Sequence, residues 1–156
     1  IIGQKDRKWK DSAFFVHSLY KYSGIDVFSR HSAGKNYAAE IIHDFAEAEG
    51  ILFENRLPSE GDLVFFQNTH DRNKNTKPDD GITLVGIVES IDSYQTVSII
   101  TTVSGTVLRY KMNRKQQNVT RNLQTQKIIN HSFVSGYQPT ANLLTAQAFV
   151  SYGSVF

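Results

Sequence analysis

Apolar positions recur at helical spacing in the first third of the chain. In residues 13–23, Phe15, Val16, Leu19 and Tyr20 fall on one face, which predicts an amphipathic helix. Asp11 or Ser12 suits its N-cap, because a short oxygen-bearing side chain accepts from the free amides of a first turn, and Gly24 suits its stop. Residues 33–48 repeat the pattern with Tyr37, Ile41, Ile42 and Phe45, and Gly50 closes this second helix. The texture then changes. Pro58-Ser59-Glu60-Gly61-Asp62 reads as a turn and leads into the apolar run Leu63-Val64-Phe65-Phe66. Short β-rich segments follow over 83–89, 95–102 and 106–111, bounded by Gly81, Asp92-Ser93 and Ser104-Gly105. Residues 112–137 are polar and predict no element, and residues 139–149 read as a short helix. Helices followed by strands predict an α+β domain, with N-terminal helices packed on a central antiparallel β-sheet.

Composition narrows this without redirecting it. The 156 residues are 40% hydrophobic and 21% charged with three prolines, which suits one core and argues against disorder. No apolar run reaches the length of a membrane span. Ile1-Ile2-Gly3-Gln4 resembles neither an initiating methionine nor a signal peptide, so the chain is expected to be a piece of a longer protein. There is no cysteine, which removes disulfides, thiolate metal sites and a cysteine nucleophile.

Charge is divided along the chain. Residues 1–92 hold eleven basic and all fifteen acidic residues, net −4. Residues 93–156 hold no acid and six bases, Arg109, Lys111, Arg114, Lys115, Arg121 and Lys127, net +6. These six either pair with the acidic half of the same domain or form a face for an anionic partner such as an acidic wall polymer, a lipid surface or an acidic protein. No nucleic-acid-binding motif accompanies them, so nucleic acid is not the expected partner.

Three blocks, in order, carry a family pattern. They are Asp11-Ser12-Ala13-Phe14-Phe15-Val16, then Pro58-x-x-Gly61-Asp62-Leu63-Val64-Phe65-Phe66, then Val85-Gly86-Ile87-Val88-Glu89-Ser90. Together, over about residues 9–112, they resemble the NlpC-type and CHAP-type (cysteine/histidine-dependent amidohydrolase/peptidase) cell-wall enzymes. The resemblance implies a papain-like fold and one domain over 1–156, with 113–156 as a C-terminal extension. It implies a cysteine at a helix start, where the partial positive charge favours a thiolate. It also implies a histidine base on a facing strand and a polar orienting residue on the next.

The chain departs from that pattern where the chemistry sits. Ser12 stands at the cysteine position, Leu84 at the histidine position, and the orienting position falls near Thr101. A serine hydroxyl needs a base, and leucine accepts no proton. Of the five histidines, His17, His31, His43, His70 and His131, the first points to a different part of the helix from Ser12, and His31 and His131 are the two that could approach the cleft as an alternative base; surface or capping roles are the competing reading. Read from the residues alone, Ser12 is also a plain helix cap and Leu84 a plain core residue. A cleft at Asp11, Ser12, Ala13, Phe14, Thr83 and Leu84 remains a candidate peptide-binding site, and Phe14, in place of the family's small glycine, is expected to narrow it. The implied function is a catalytically inactive domain of a bacterial envelope protein, periplasmic or otherwise extracytoplasmic, that binds peptidoglycan, a peptide or a protein partner. The alternative is a cysteine peptidase or amidase present as a Cys-to-Ser variant.

One loop carries a second candidate. Asp71, Asn73, Asn75 and Asp79 fall at positions of a calcium loop. Thr76 replaces its sharp-turn glycine and Ile82 its bidentate glutamate, and Arg72, Lys74 and Lys77 lie among the ligands. A solvated hairpin loop held by Asx-turns is the competing reading. No other cofactor is expected.

Overall fold

The structure is a computed structural model and describes residues 1–30, 37–134 and 142–156. The first predicted helix forms as α1 (Ser12–Tyr22), with Asp11 as its N-cap. Asp11 is extended there and its carboxylate accepts from Ala13 N at 2.9 Å. At the other end Gly24 adopts φ +77, the left-handed turn that glycine tolerates after a helix. The second helix, α2 (Ala38–Glu49), follows an extended Tyr37 and ends at Gly50. The part of the expected helix before Tyr37, residues 33–36, lies outside the described residues.

The described strands are β1 (Ile51–Phe53), β2 (Leu63–Gln67), β3 (Ile82–Ile91), β4 (Val97–Val103), β5 (Thr106–Met112), β6 (Ser132–Val134), β7 (Asn142–Leu144) and β8 (Phe149–Ser154). Six of them form one sheet in the order β1-β8-β2-β3-β4-β5, and β6-β7 form a separate ribbon. Every pairing is antiparallel. The α+β expectation with helices on an antiparallel sheet therefore holds at that level. Ser104 and Gly105 both take positive φ, at 50 and 80, which is the two-residue turn that closes a hairpin with the natural strand twist.

The C-terminal expectation needs correction. The short helix is α3 (Thr145–Ala148) alone. Leu143 and Leu144 belong to β7, Phe149 opens β8 opposite Phe66, and residues 139–141 lie outside the described residues. Ala146-Gln147-Ala148-Phe149 carries helical propensity, but pairing with Phe66 of β2 fixes Phe149 as a strand residue. β8 enters between β1 and β2, so the last strand in sequence completes the sheet's interior.

Each face of the sheet builds a core. On one face, Ala13, Phe15, Val16 and Tyr20 of α1 and Ala39, Ile42, Phe45 and Ala46 of α2 meet Leu63, Phe65, Val85 and Val107. The other face carries Val64, Phe66, Leu84, Val88, Ile99 and Tyr152 under Phe133, Ala146 and Ala148. This second cover explains why Leu63-Val64-Phe65-Phe66 is apolar without alternation: its residues bury on both sides.

Three bulges interrupt the pleat. Thr83 is the extra residue between the Leu84–Phe66 and Ile82–Gln67 pairs. Glu89 is extra between the Val88–Ile99 and Ser90–Ser98 pairs. Val150 is extra between the pairs that Phe149 and Ser151 make with β2. A bulge re-aims the side chains beside it, and the first of these lies next to the start of α1.

Candidate functional site

The start of α1 meets β3 and β4 at one peptide. Ser12 is 3% exposed, and its Oγ accepts from Val85 N at 3.1 Å. Thr101, fully buried on β4, donates its Oγ1–H to Val85 O at 2.7 Å. The β3–β4 ladder runs from Ile91 only as far as Ile87, opposite Ile100. Beyond that point two hydroxyls take over the amide and carbonyl of Val85. A buried peptide group left unpaired costs about 1–3 kcal/mol, so Ser12 and Thr101 have a clear structural task.

The three positions of the family pattern are thus only partly brought together. Ser12 and Thr101 flank Val85, whose side chain packs with α1. Leu84, 7% exposed, points into the core on the opposite face, with Phe66 and Val88. Ala13 is fully buried and Thr83 nearly so. Thr83 Oγ1 lies 2.7 Å from Thr69 Oγ1 and accepts from Thr69 N at 2.9 Å. Phe14 does not fill the space beside Ser12. Two positions further along a helix point roughly 200° away, and Phe14 is 51% exposed, edge-on to Phe28. It lines a surface hollow with Lys8, Trp9 and Ser18 instead.

Most of the histidines have local partners elsewhere. His17 stacks on Phe28, with Nδ1 3.5 Å from Asp26. His43 sits edge-on to Phe65. His131 Nδ1 accepts from Lys111 N at 2.8 Å, and burial, reinforced by the Lys111 charge, holds its pKa below the usual histidine value. His31 lies outside the described residues. His70 is different. Its Nε2 accepts from Arg72 Nε at 3.2 Å, and burial first, then Arg72, lowers its pKa against the opposing pull of Asp80, Asp11 and Asp71. The pull of Asp11 brings His70 into the electrostatic surroundings of the α1 start. Arg72 also donates to Thr83 O at 3.0 Å and stacks 3.9 Å over Tyr37. Sequence spacing gave no hint of this association, because His70 and Arg72 are in the loop between β2 and β3.

That loop closes on itself. Asp71 accepts from Asn75 N and Thr76 N at 3.2 and 2.8 Å. Asp79 accepts from the side-chain amides of Asn73 and Asn75 at 3.2 and 2.9 Å, and these bonds lower its pKa. Asp80 Oδ1 accepts from Arg72 N and Asn73 N. Both Asn side chains thus present N–H groups to Asp79, and a calcium ion ligated by all four residues would have to turn both amides over. Among the described residues no group of three or more His, Asp or Glu side chains is placed to hold a metal.

Four of the six basic residues of the second half have separate side-chain partners. Arg109 forms a two-pronged ion pair with Glu89, at 2.5 and 2.6 Å, which lowers the carboxyl pKa and joins the acidic and basic halves. Lys111 Nζ donates to Ser98 Oγ, and Arg121 to Gln126 O at 2.9 Å. Arg114 stacks 4.0 Å over Phe149 and donates to Glu54 O. Arg114 and Lys115 line a cleft with Arg56, a residue of the acidic half that the charge division along the chain conceals. Comparison of the chain with family models, curated proteins and solved structures gives no match.

Proposed function

We propose that this chain is a non-catalytic papain-like domain of the NlpC/CHAP type, from the bacterial periplasm or cell envelope, that binds peptidoglycan, a peptide or a protein partner without cutting it. The observation that carries the reading is the Ser12 hydroxyl, buried and accepting from Val85 N at the head of α1. The reading is supported by Ser12 of α1 and Thr101 of β4 both bonding the Val85 peptide of β3. The groups there satisfy a backbone peptide, and the side chain at the histidine position lies in the opposite core. A nucleophile must reach a substrate carbonyl and a base must reach the nucleophile; at Ser12 the oxygen is enclosed and the flanking side chain, Val85, is apolar.

The competing reading is a cysteine peptidase or amidase with serine in place of its nucleophile. It needs a base, and His70 is the imidazole that Asp11 influences. Peptide release from purified peptidoglycan by wild type, Ser12→Cys, and Ser12→Cys combined with His70→Ala separates the two. The expected result is no release by any of them, together with retention of the wild type on insoluble peptidoglycan or capture of a peptide from it. Release by Ser12→Cys that the His70 change abolishes would establish the peptidase and overturn the proposal.

A further inference from the structure

A second site lies at the far end of the large sheet. Arg56 follows β1, Arg114 and Lys115 follow β5, and Gln95 sits in the β3–β4 turn. These four, with Glu54 and the buried Tyr152, line a cleft of about 340 Å³. From Val85 to Ile91 β3 rises roughly 20 Å, so the cleft is well separated from Ser12 and does not depend on the papain-like reading.

Its cations are held in a specific way. The Arg56 guanidinium lies 3.7 Å over the Phe53 ring, and the Arg114 guanidinium 4.0 Å over Phe149. A guanidinium stacked on an aromatic face keeps its N–H edges available and loses little freedom when it binds a planar or tetrahedral anion. Arg114 spends one N–H group on the Glu54 carbonyl, which orients the rest. Glu54 is the acidic residue of the lining, set against three cations. Arg109, by contrast, is matched to Glu89. Burial holds the Tyr152 phenol up to about 12, so at neutral pH it is an uncharged hydroxyl at the cleft.

We propose that this cleft binds an oxyanion group, phosphate or carboxylate, on a small ligand or a polymer chain end, with Arg56 and Arg114 as hydrogen-bonding forks and Lys115 as a point charge. Oxyanions fit because a guanidinium donates two parallel N–H bonds to them. The volume, at the small end of ligand pockets, suits a unit of about one sugar ring.

Titration of the ¹⁵N-labelled chain with glycerol 1-phosphate and, separately, with D-glucuronate tests this. The expected result is saturable shifts confined to residues 54–57, 95, 114 and 115. Arg56→Ala with Lys115→Ala, both exposed positions, should weaken binding by about tenfold or more. Arg121→Ala with Lys127→Ala should leave it unchanged. Saturation by the phosphate alone, or by the glucuronate alone, supports the site and identifies which anion it takes. Shifts that stay linear with both probes, or equal weakening by the two double variants, would overturn it, the first from wild-type protein alone and so independently of any variant's folding.

Discussion

At the scale of single residues, Ser12 shows how one side chain fits two accounts until its partner is known. Serine at a helix start is a cap by propensity and a disabled nucleophile by resemblance. The structure gives the cap to Asp11 and sets Ser12 on the amide of Val85, with Thr101 on the carbonyl. Ser12→Ala removes the acceptor and leaves a buried N–H, so it should lower unfolding free energy by about 1–3 kcal/mol. Ser12→Cys should cost a comparable amount, because sulfur is a weak acceptor. Urea denaturation checks both; a loss below about 0.5 kcal/mol in each would show that Ser12 does not support this peptide. The residue types at 11, 12 and 101 were legible as polar and special. Their targets were not, since Val85 is 73 residues from Ser12. Leu84 was legible as a core residue, and the core it joins was not.

Elements followed the periodic signal where one face was buried and lost it where pairing decided. α1 and α2 were predictable from their apolar stripes, and the β3–β4–β5 meander from short apolar runs between turn residues. β1 and β8 were missed because three- and six-residue strands acquire their identity from each other and from β2, and β6 and β7, three residues each, were missed because they define each other. The bulges at Thr83, Glu89 and Val150 are likewise invisible to a period-two reading, since an extra residue exists only relative to a partner strand. Gly86 is an element-scale constraint that can be tested. A Cβ added there would lie 2.6 Å from Ile99 Cγ2 and 3.1 Å from Ile100 O, inside the β3–β4 contact. Gly86→Ala should therefore destabilise by about 1–3 kcal/mol, read as a lower urea midpoint with an unchanged slope. An unaltered midpoint would mean that the two strands separate there at little cost.

For the whole molecule, the decisive feature is that both faces of one sheet are covered. α1 and α2 lie on one, and the β6-β7 ribbon with α3 on the other. Two histidines, the surface residue His70 and the half-buried His131, respond to this packing. His70 and His131 both have folded pKa values below 6.5, chiefly through burial. The unfolded chain therefore binds more protons as pH falls below 6.5, and the stability these groups support is full above that pH and lost through their folded values. Urea unfolding at pH 7.5 and pH 5 should show lower stability at pH 5. His131→Asn, which keeps an acceptor for Lys111 N, should reduce the difference; an identical difference in wild type and variant would remove His131 as a cause. By itself the sequence determined the α+β class, the amphipathic helices, the central meander, the absence of a cysteine nucleophile and the uneven distribution of charge. Each of these follows from local periodicity, turn chemistry or residue identity. Tertiary structure alone decided that Ser12 and Thr101 close one peptide, that Leu84 turns away from them, that Arg109, Lys111, Arg114 and Arg121 take separate partners, and that Arg56 joins Arg114 and Lys115. Each of those depends on strand order and bulges, which bring distant residues together through pairings that no local pattern encodes.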